Sequence, residues 1–213
     1  MSNTIAFNFQ DSIYIHSFEN CIKNVRKYYE NQLIDFYIDS NSNRIEQYTD
    51  ICRIYNVEIT IRDRHQGYIN RNDSFDINIP KILESHYRIY NTCKKAKSDW
   101  IMLLEDDVLI KRLIINWPKA QCGTNREYFK NAGGSIFKRE MYINVYENIG
   151  EAGLEKIIKT NHTYSWAGDE LKQKLFTDAG ISYEKWIELA EPNYNDDTDH
   201  AVFHGYKDLH NLN

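Results

Sequence analysis

The stretch that most constrains the fold is Trp100–Val108, which reads W-I-M-L-L-E-D-D-V. A run of consecutive apolar residues suits a strand buried on both faces, as in a parallel sheet covered by helices. That strand ends in the carboxylates Glu105, Asp106 and Asp107. Open α/β sheets bind ligands at the carboxyl ends of their strands, and hard oxygen ligands suit Mg²⁺ or Mn²⁺. The stretch therefore predicts a divalent-metal site that brings a phosphate with it. The simpler alternative is an acidic turn that caps the next helix.

The sequence before this stretch alternates between strand and helix patterns. Apolar clusters of strand length are separated by segments with helical periodicity, which is the pattern of a doubly wound α/β sheet. Pro80 suits the first turn of the last helix before the acidic strand. The predicted strands cover 4–9, 33–38 and 57–61, and the predicted helices cover 17–32, 44–55 and 81–97.

The second half of the chain has a mixed pattern. Gly133 and Gly134 precede a predicted strand and permit close backbone approach. Gly180 is a predicted helix stop. The remaining predictions are a turn region at 121–126, helices at 140–149 and 151–159, a helix within 166–179 that begins at Gly168-Asp169 after Trp166, and irregular structure at 192–208.

Composition narrows the class of protein. A net charge of −5 over 213 residues argues against a broad nucleic-acid or anionic-membrane footprint. No apolar run reaches the length of a membrane span, and the N-terminus lacks a signal-peptide pattern. We therefore expect a cytoplasmic protein with no membrane span and no nucleic-acid partner. The cysteines form no C-x-x-C pair and are predicted to be reduced core thiols; they are Cys21, Cys52, Cys93 and Cys122.

A long connection follows the third predicted strand. Residues 62–79 exceed the usual length of a βα loop, and long loops are often functional. The loop carries Arg62, Arg64, His65 and Arg71 in an acidic chain. Two interpretations stay open: a local basic cluster for an anionic ligand, or an ordinary solvated loop.

These features resemble the nucleotide-sugar-dependent glycosyltransferases of the GT-A fold. The D-x-D motif of that family reads E-D-D at 105–107, and a Gly-Gly strand and W-A-G-D-E at 166–170 follow it. In size and order the chain is also similar to viral members, in particular an N-terminal domain of a multidomain chlorella-virus protein. The resemblance implies one domain, 1–213, with a nucleotide-binding half (1–108) and an acceptor-binding half (109–213). It also implies an inverting, metal-dependent transfer from a UDP- or dTDP-sugar to a hydroxyl of a glycan acceptor.

The resemblance assigns residues to the donor diphosphate. Asp107 would ligate Mn²⁺ or Mg²⁺, while Asp106 and Glu105 would hold the ribose or a water. His204 would complete the metal shell, and Lys207 would balance the phosphate charge. Glu105 departs from the family pattern, because glutamate replaces the first aspartate of D-x-D.

The resemblance also assigns a base pocket. Asp39, at the end of the second predicted strand, would accept the N3–H of uracil or thymine, although Asp also favours turns. Asn8 and Phe9 would line the same pocket. Arg62 is the candidate contact to the donor from the basic loop.

The acceptor side rests on the W-A-G-D-E segment. Asp169 or Glu170 resembles the catalytic base of inverting members, and adjacent helical residues point about 100° apart, so one of them faces the acceptor. Asp169 could instead be a helix N-cap. His200 and His210 compete with His204 as the ligand.

Rival functions are a sugar-phosphate nucleotidyltransferase and a non-catalytic phosphate-binding module. The first class usually carries a Gly-rich basic loop after the first strand, where this chain reads N-F-Q-D-S. A phosphate-accepting receiver places its acidic pair near the first strand, whereas this one begins at Glu105. Glycosyl transfer is therefore the leading hypothesis.

Overall fold

A computed structural model of the protein describes residues 3–9, 14–63, 75–124, 133–160, 168–190 and 199–204. The side chains of 75, 168–172 and 204 lie outside this description. None of the helices in these ranges combines the length and the apolar character that crossing a bilayer requires. All four cysteines are buried and free, as predicted.

Strands and helices alternate through the first half of the chain. The helices are α1 (Ile15–Tyr28), α2 (Ile45–Ile54), α3 (Phe75–Lys95), α4 (Arg139–Thr160) and α5 (Gly168–Asp178). The strands are β1 (Ile5–Phe9), β2 (Ile34–Asp39), β3 (Glu58–Arg62), β4 (Trp100–Leu104), β5 (Val108–Ile110), β6 (Cys122–Thr124), β7 (Ile136–Lys138), β8 (Tyr183–Lys185) and β9 (Val202–His204).

The main sheet has seven strands in the order β3-β2-β1-β4-β7-β6-β8. The strands β3, β2, β1 and β4 run parallel, whereas β7 is antiparallel to both of its neighbours. The acidic strand β4 therefore lies in the middle, between β1 and β7. A separate antiparallel pair joins β5 to β9. The predicted fold class, a mostly parallel Rossmann-like sheet with a mixed second half, is confirmed.

Helices cover the sheet on both faces, and a hydrophobic cluster fills each interface. One cluster contains Phe7, Phe9 and Phe18 with the side of the sheet that α1 and α2 cover. The other contains Ile82 and Ile101 with the side that α3 and α4 cover. Because β1 and β4 are buried along their whole length, β4 is a continuous apolar run and β1 is interrupted only by Asn8, with no alternating pattern in either.

Several predicted boundaries were wrong. Helix α3 begins at Phe75, so Pro80 lies inside the helix rather than in its first turn. Proline lacks an N–H and normally disfavours a helix interior, which is why the sequence pattern placed the start too late. The supposed turn at 121–126 contains β6, and the supposed irregular region at 192–208 contains β9. Strand β8 was not predicted; its side chains are largely exposed and carry no apolar pattern.

The helix pattern after β7 was read more accurately. Two helices were predicted there, and α4 is interrupted at Gly150, whose φ of 66° and ψ of 167° are not helical. Helix α5 ends two residues before Gly180, which has a φ of 67°. A glycine at positive φ is a common helix stop because it has no Cβ to clash.

Candidate active site

The acidic motif occupies the tight turn between β4 and β5. The Val108 N–H donates to the Glu105 carbonyl at 3.1 Å, which closes the turn. Glu105 is exposed, Asp106 is half-buried, and Asp107 is only 5% exposed. Burial raises the pKa of the nearby Cys21 thiol, and the negative charges of Asp106 and Asp107 raise it further. The turn is therefore a local centre of negative charge at the carboxyl end of a buried strand.

The glycine pair closes one side of this turn. The Gly133 N–H donates to Glu105 Oε1 at 3.0 Å, and a Cβ on Gly133 would lie 2.9 Å from Val108 Cγ2. The Gly134 N–H donates to the Leu103 carbonyl at 2.7 Å, with a φ of 82°. The sequence predicted close backbone approach here, and the structure confirms it. One oxygen of Glu105 holds this neighbouring segment, which is a role that the sequence did not suggest.

Strand β9 lies beside the acidic turn. Its antiparallel register with β5 pairs Val108 with His204 and Ile110 with Val202. The backbone of His204 is thus opposite the residue that follows Asp107. The side chain of His204 lies outside the described residues, and so does Lys207 entirely.

The donor set of the turn can be compared with what a hard cation requires. Asp106 and Asp107 offer carboxylate oxygens, the ligand type that Mg²⁺ and Mn²⁺ prefer. Among the side chains that the structure describes, no group of three His, Cys, Asp or Glu forms a complete metal site. Because Mg²⁺ usually keeps waters and takes one or two carboxylates plus substrate phosphates, this donor set fits a metal that arrives with its substrate.

A second charged group lies at the carboxyl ends of β2 and β3. The parallel register places Asp39 opposite Arg62. Arg62 donates to Glu84 of α3 through two nitrogens, at 2.7 and 3.0 Å, and its guanidinium lies over the Tyr87 ring at 4.3 Å. Arg88, which is fully buried, donates to Glu84 at 3.0 Å and lies 3.4 Å from Asp39 Oδ1. The four charged residues form an alternating chain, Asp39, Arg88, Glu84 and Arg62.

The hydrogen bonds of this chain shift the pKa values of Glu84 and Arg62. Burial raises the pKa of Glu84, but hydrogen bonds from Arg62 and Arg88 lower it more, and the net shift is below the usual value. The hydrogen bond to Glu84 raises the pKa of Arg62. Sequence reasoning missed Glu84 and Arg88. The available signal was a Glu and an Arg four residues apart among apolar residues on a helix that precedes the acidic strand.

Asn8 and Phe9 lie inside the fold at the end of β1. Asn8 is buried and donates to Thr92 Oγ1 at 2.7 Å. Phe9 is also buried, and its ring makes edge contacts with Phe18 and Phe36. These two side chains therefore pack on opposite faces of the sheet, beneath the edge where the acidic turn lies.

A surface cleft opens at the first turns of α1 and α2. Its volume is about 490 Å³. Helices α1 and α2 follow β1 and β2, so this cleft is on the same edge of the sheet as Asp39. It is lined by Tyr14, Ile15, His16, Ser17, Arg44 and Gln47.

The candidate catalytic carboxylates are on α5. The helix begins at Gly168, so Asp169 and Glu170 lie in its first turn rather than before it. Their side chains are outside the described residues. Residues 191–198, 205–213 and most of the basic loop, 64–74, are likewise outside, which includes Arg64, His65, Arg71 and His210.

Comparisons with known proteins rest on structure alone. A search against protein-family models finds no match, and neither does a search of curated proteins. Among solved structures, the chain is similar to the glycosyltransferase GlyE of Streptococcus pneumoniae TIGR4, at 11% identity over 95% of this chain. The TM-score is 0.60 for the apo form and 0.55 for a second structure of GlyE. The chain spans about half of GlyE, 54–55% of its length.

A second match extends over most of both proteins. The galactosyltransferase LgtC, crystallised with donor and acceptor sugar analogs, matches with a TM-score of 0.58 and 13% identity. The alignment covers 94% of this chain and 86% of LgtC. At such identities the similarity establishes a shared fold, which is the mixed α/β fold of these glycosyltransferases.

Proposed function

We propose that the protein is a metal-dependent glycosyltransferase that moves a sugar from a UDP- or dTDP-sugar to a hydroxyl of a glycan acceptor, with inversion. The observation that carries the proposal is the buried Asp107 at the end of the central strand β4, with the backbone of His204 in β9 alongside it. The fold that the chain shares with GlyE and LgtC supports it.

In this proposal the acidic turn binds the donor diphosphate. Asp107 and His204 would ligate Mn²⁺ or Mg²⁺, and Asp106 would hold the ribose or a metal-bound water. The metal supplies neutralisation of the charge that develops on the departing diphosphate. Glu105 would keep the turn in shape through its hydrogen bond to Gly133, and Lys207 would add positive charge near the phosphates.

The nucleoside would extend from this turn toward β1 and β2. Asp39 would accept the N3–H of the base, and Arg62 lies beside it at the end of β3. Asn8 and Phe9 would line this pocket through the backbone at the end of β1, because their side chains are buried on opposite faces of the sheet. The cleft at the first turns of α1 and α2 offers room for the base and ribose on that side.

Transfer requires one group that removes a proton from the acceptor. Asp169 or Glu170, in the first turn of α5, would take the proton from the acceptor hydroxyl as its oxygen bonds to the anomeric carbon. The bond from that carbon to the diphosphate breaks, and the nucleoside diphosphate leaves with the electron pair.

Calorimetric titration of UDP tests the nucleotide site. We expect UDP to bind with Mn²⁺ and to lose affinity when EDTA is added. Asp107→Asn should weaken binding by at least about 100-fold, since even residues that only support a ligand are worth 10- to 100-fold. Asp50→Asn is the matched control, because Asp50 is an exposed helical carboxylate paired with Arg53.

Release of UDP from donor sugars and binding of other nucleoside diphosphates complete the test. Release of UDP from a panel of UDP-sugars should require Mn²⁺ and the same Asp107 carboxylate. If neither UDP, dTDP nor GDP binds under any metal condition, the glycosyltransferase proposal is wrong and the acidic motif is a structural turn.

A further inference from the structure

The outer edge of strand β3 is a surface that the proposed function leaves unused. Strand β3 is the first in the order of the seven-stranded sheet, and within the part of the chain that the structure describes it pairs only with β2. We propose that this edge pairs antiparallel with the β3 edge of a second copy of the chain, so that two sheets join across a two-fold axis. Strands β2 and β1 separate β3 from the acidic strand β4, so this contact does not depend on the proposed nucleotide site.

The backbone of β3 determines which residues face the open edge. The Arg62 carbonyl accepts from the Ser40 N–H at 2.9 Å, so it points toward β2. The N–H and C=O of one strand residue point to the same side, and successive residues alternate. Arg62 and the residues two and four positions before it therefore face β2, whereas Ile59 and Ile61 each present an N–H and a C=O to the outside. An edge of this kind is a template for pairing with another chain.

The sequence of the strand, E-I-T-I-R, fits an antiparallel copy of itself. When Thr60 lies on the two-fold axis, Ile59 of one copy is opposite Ile61 of the other. Their outward groups then form two hydrogen bonds, and the symmetric pair forms two more. Glu58 is opposite Arg62 at both ends, and opposite charges or two threonines across an antiparallel pair are favourable. Each strand end thus gains an ion pair, which selects this register over shifted ones.

The two charged side chains lie on one face of the strand and can take a further partner. Both contact α3: Glu58 lies 3.7 Å from Lys95, and Arg62 donates to Glu84 through two nitrogens. A guanidinium has five N–H groups, so among the described residues this pair leaves three for a carboxylate across the interface. The side chain of Glu58 is 59% exposed and that of Arg62 is 37% exposed. An ion pair between the copies therefore adds to the contacts inside each copy.

The opposite face of the strand carries apolar side chains. Ile61 is 49% exposed although it lies in a strand of the main sheet. Ile59 is half-buried and packs against the hydrophobic cluster beneath α1 and α2. In the proposed register Ile61 of one copy meets Ile59 of the other. Pairing therefore removes apolar surface from water, which favours association.

Disulfide cross-linking tests the register. Thr60 is opposite Thr60 of the second copy, at a non-hydrogen-bonded position where the Cα atoms are about 4.5 Å apart, within the range of a disulfide. We expect Thr60→Cys to form a covalent dimer on mild oxidation, and the native cysteines are buried. Ile61→Cys is the matched control. Its position is more exposed, but the two residues 61 are about 9 Å apart across the axis, too far for a disulfide.

Sedimentation equilibrium measures the charge pairs. We expect the unmodified protein to associate reversibly into dimers. Glu58→Arg places two arginines opposite each other at both ends of the strand pair, and should raise the dimer dissociation constant about tenfold or more. Glu155→Arg makes the same change of charge at an exposed position of α4 and should leave the dissociation constant unchanged.

A proline substitution tests the backbone hydrogen bonds by the same measurement. Ile61→Pro removes an outward N–H and keeps the bonds to β2, and proline is accepted in edge strands in this orientation. The dissociation constant should rise about 30-fold, the worth of two hydrogen bonds. Tyr183→Pro is the control, because Tyr183 is an exposed residue of β8 at the opposite edge of the sheet.

A covalent dimer from Thr60→Cys but not from Ile61→Cys supports the β3 contact, and it does so even if Ile61→Pro does not fold. A protein that stays monomeric, or one whose two cysteine variants cross-link equally, overturns it. A dimer that Glu58→Arg and Ile61→Pro leave unchanged uses another surface and overturns it as well. Because neither method uses a nucleotide, a failure of UDP to bind has no bearing on these results.

Discussion

Glu84 offers a direct test of whether the buried charge chain also stabilises the protein. Its side chain is 5% exposed and lies between two guanidinium groups. Glu84→Gln keeps the size of the side chain but removes the negative charge. The variant then leaves Arg88, which is fully buried, next to Arg62 with no anion between them.

The expected loss of stability in Glu84→Gln follows from the exposure of its two partners, Arg62 and Arg88. Breaking a buried ion pair by removing one member costs about 3 to 5 kcal/mol. Arg62 is 37% exposed and can turn toward water, and glutamine keeps one acceptor oxygen. We therefore expect the low end of the range, about 3 kcal/mol. In a chain of this size, that corresponds to a fall in Tm of about 6 to 12 °C.

The contribution of Glu84 to stability should depend on pH in a definite direction. Because the pKa of Glu84 is lowered on folding, its contribution is fully present above the unfolded value near 4.5 and is lost as pH falls through the folded value. Urea unfolding, monitored by tryptophan fluorescence, should show a constant difference in the free energy of unfolding between the unmodified protein and Glu84→Gln from pH 7 to pH 5. The difference should shrink below pH 4.5.

The substitution Glu147→Gln is the matched comparison for Glu84→Gln. Glu147 also accepts from a tyrosine and a lysine of α3, Tyr90 and Lys94, but its side chain is 48% exposed. Glu147→Gln should cost far less stability than Glu84→Gln, because ion pairs exposed to solvent contribute little. If Glu84→Gln and Glu147→Gln lose equal stability, the reasoning from burial is wrong.

Two further predictions concern packing. Gly134→Ala should destabilise the protein by about 2 to 5 kcal/mol, the sum of a positive-φ cost and overpacking, because its Cβ would lie 2.7 Å from Leu189 Cδ1. Gly180→Ala, at a similar φ but with open space around it, should cost only about 1 to 2 kcal/mol; equal losses in urea unfolding would contradict the clash. Burial raises the pKa of all four cysteine thiols, that of Cys52 to about 12. Ellman's reagent should therefore label the cysteines only after unfolding. Rapid labelling of the native protein would contradict their burial.

The parts of the fold that could be predicted are those with a strong local signal. Strands β1, β2 and β4 are buried from end to end and are mostly apolar apart from Asn8, Asp35 and Asp39, so they can be recognised as strands. The helices between them have one apolar face. Strands β6, β8 and β9 have three residues each. These short strands form because strands distant in the sequence hydrogen-bond to them, and a local stretch of sequence gives no information about those distant strands.

The residues of the candidate site also separate into those that the sequence could predict and those that it could not. Asp39 and the acidic turn could be predicted because each ends a recognisable strand. Glu84 and Arg88 could not, because Arg88 contacts an aspartate 49 residues earlier in the chain. Their pairing depends on how α3 lies on the sheet, which is a tertiary property.

That orientation is itself set by polar contacts. Alternate residues of β2 share one face, and three of them meet successive turns of α3. Asp35 pairs with Lys95 at 2.8 Å and also accepts from Thr92 at 2.6 Å. The hydroxyl of Tyr37 accepts from Asn91 at 2.9 Å, and Asp39 meets Arg88.

The helix and the strand therefore run in register, with a polar contact at each step. Sliding α3 by one residue, or turning it on its axis, would break the contacts of Asp35, Tyr37 and Asp39 together and leave buried polar groups unpaired, at a cost of about 1 to 3 kcal/mol for each. A purely apolar interface would tolerate such a shift more readily. The contacts at Asp35 and Tyr37, deep in the sheet, thus fix the position of Arg88 at its edge.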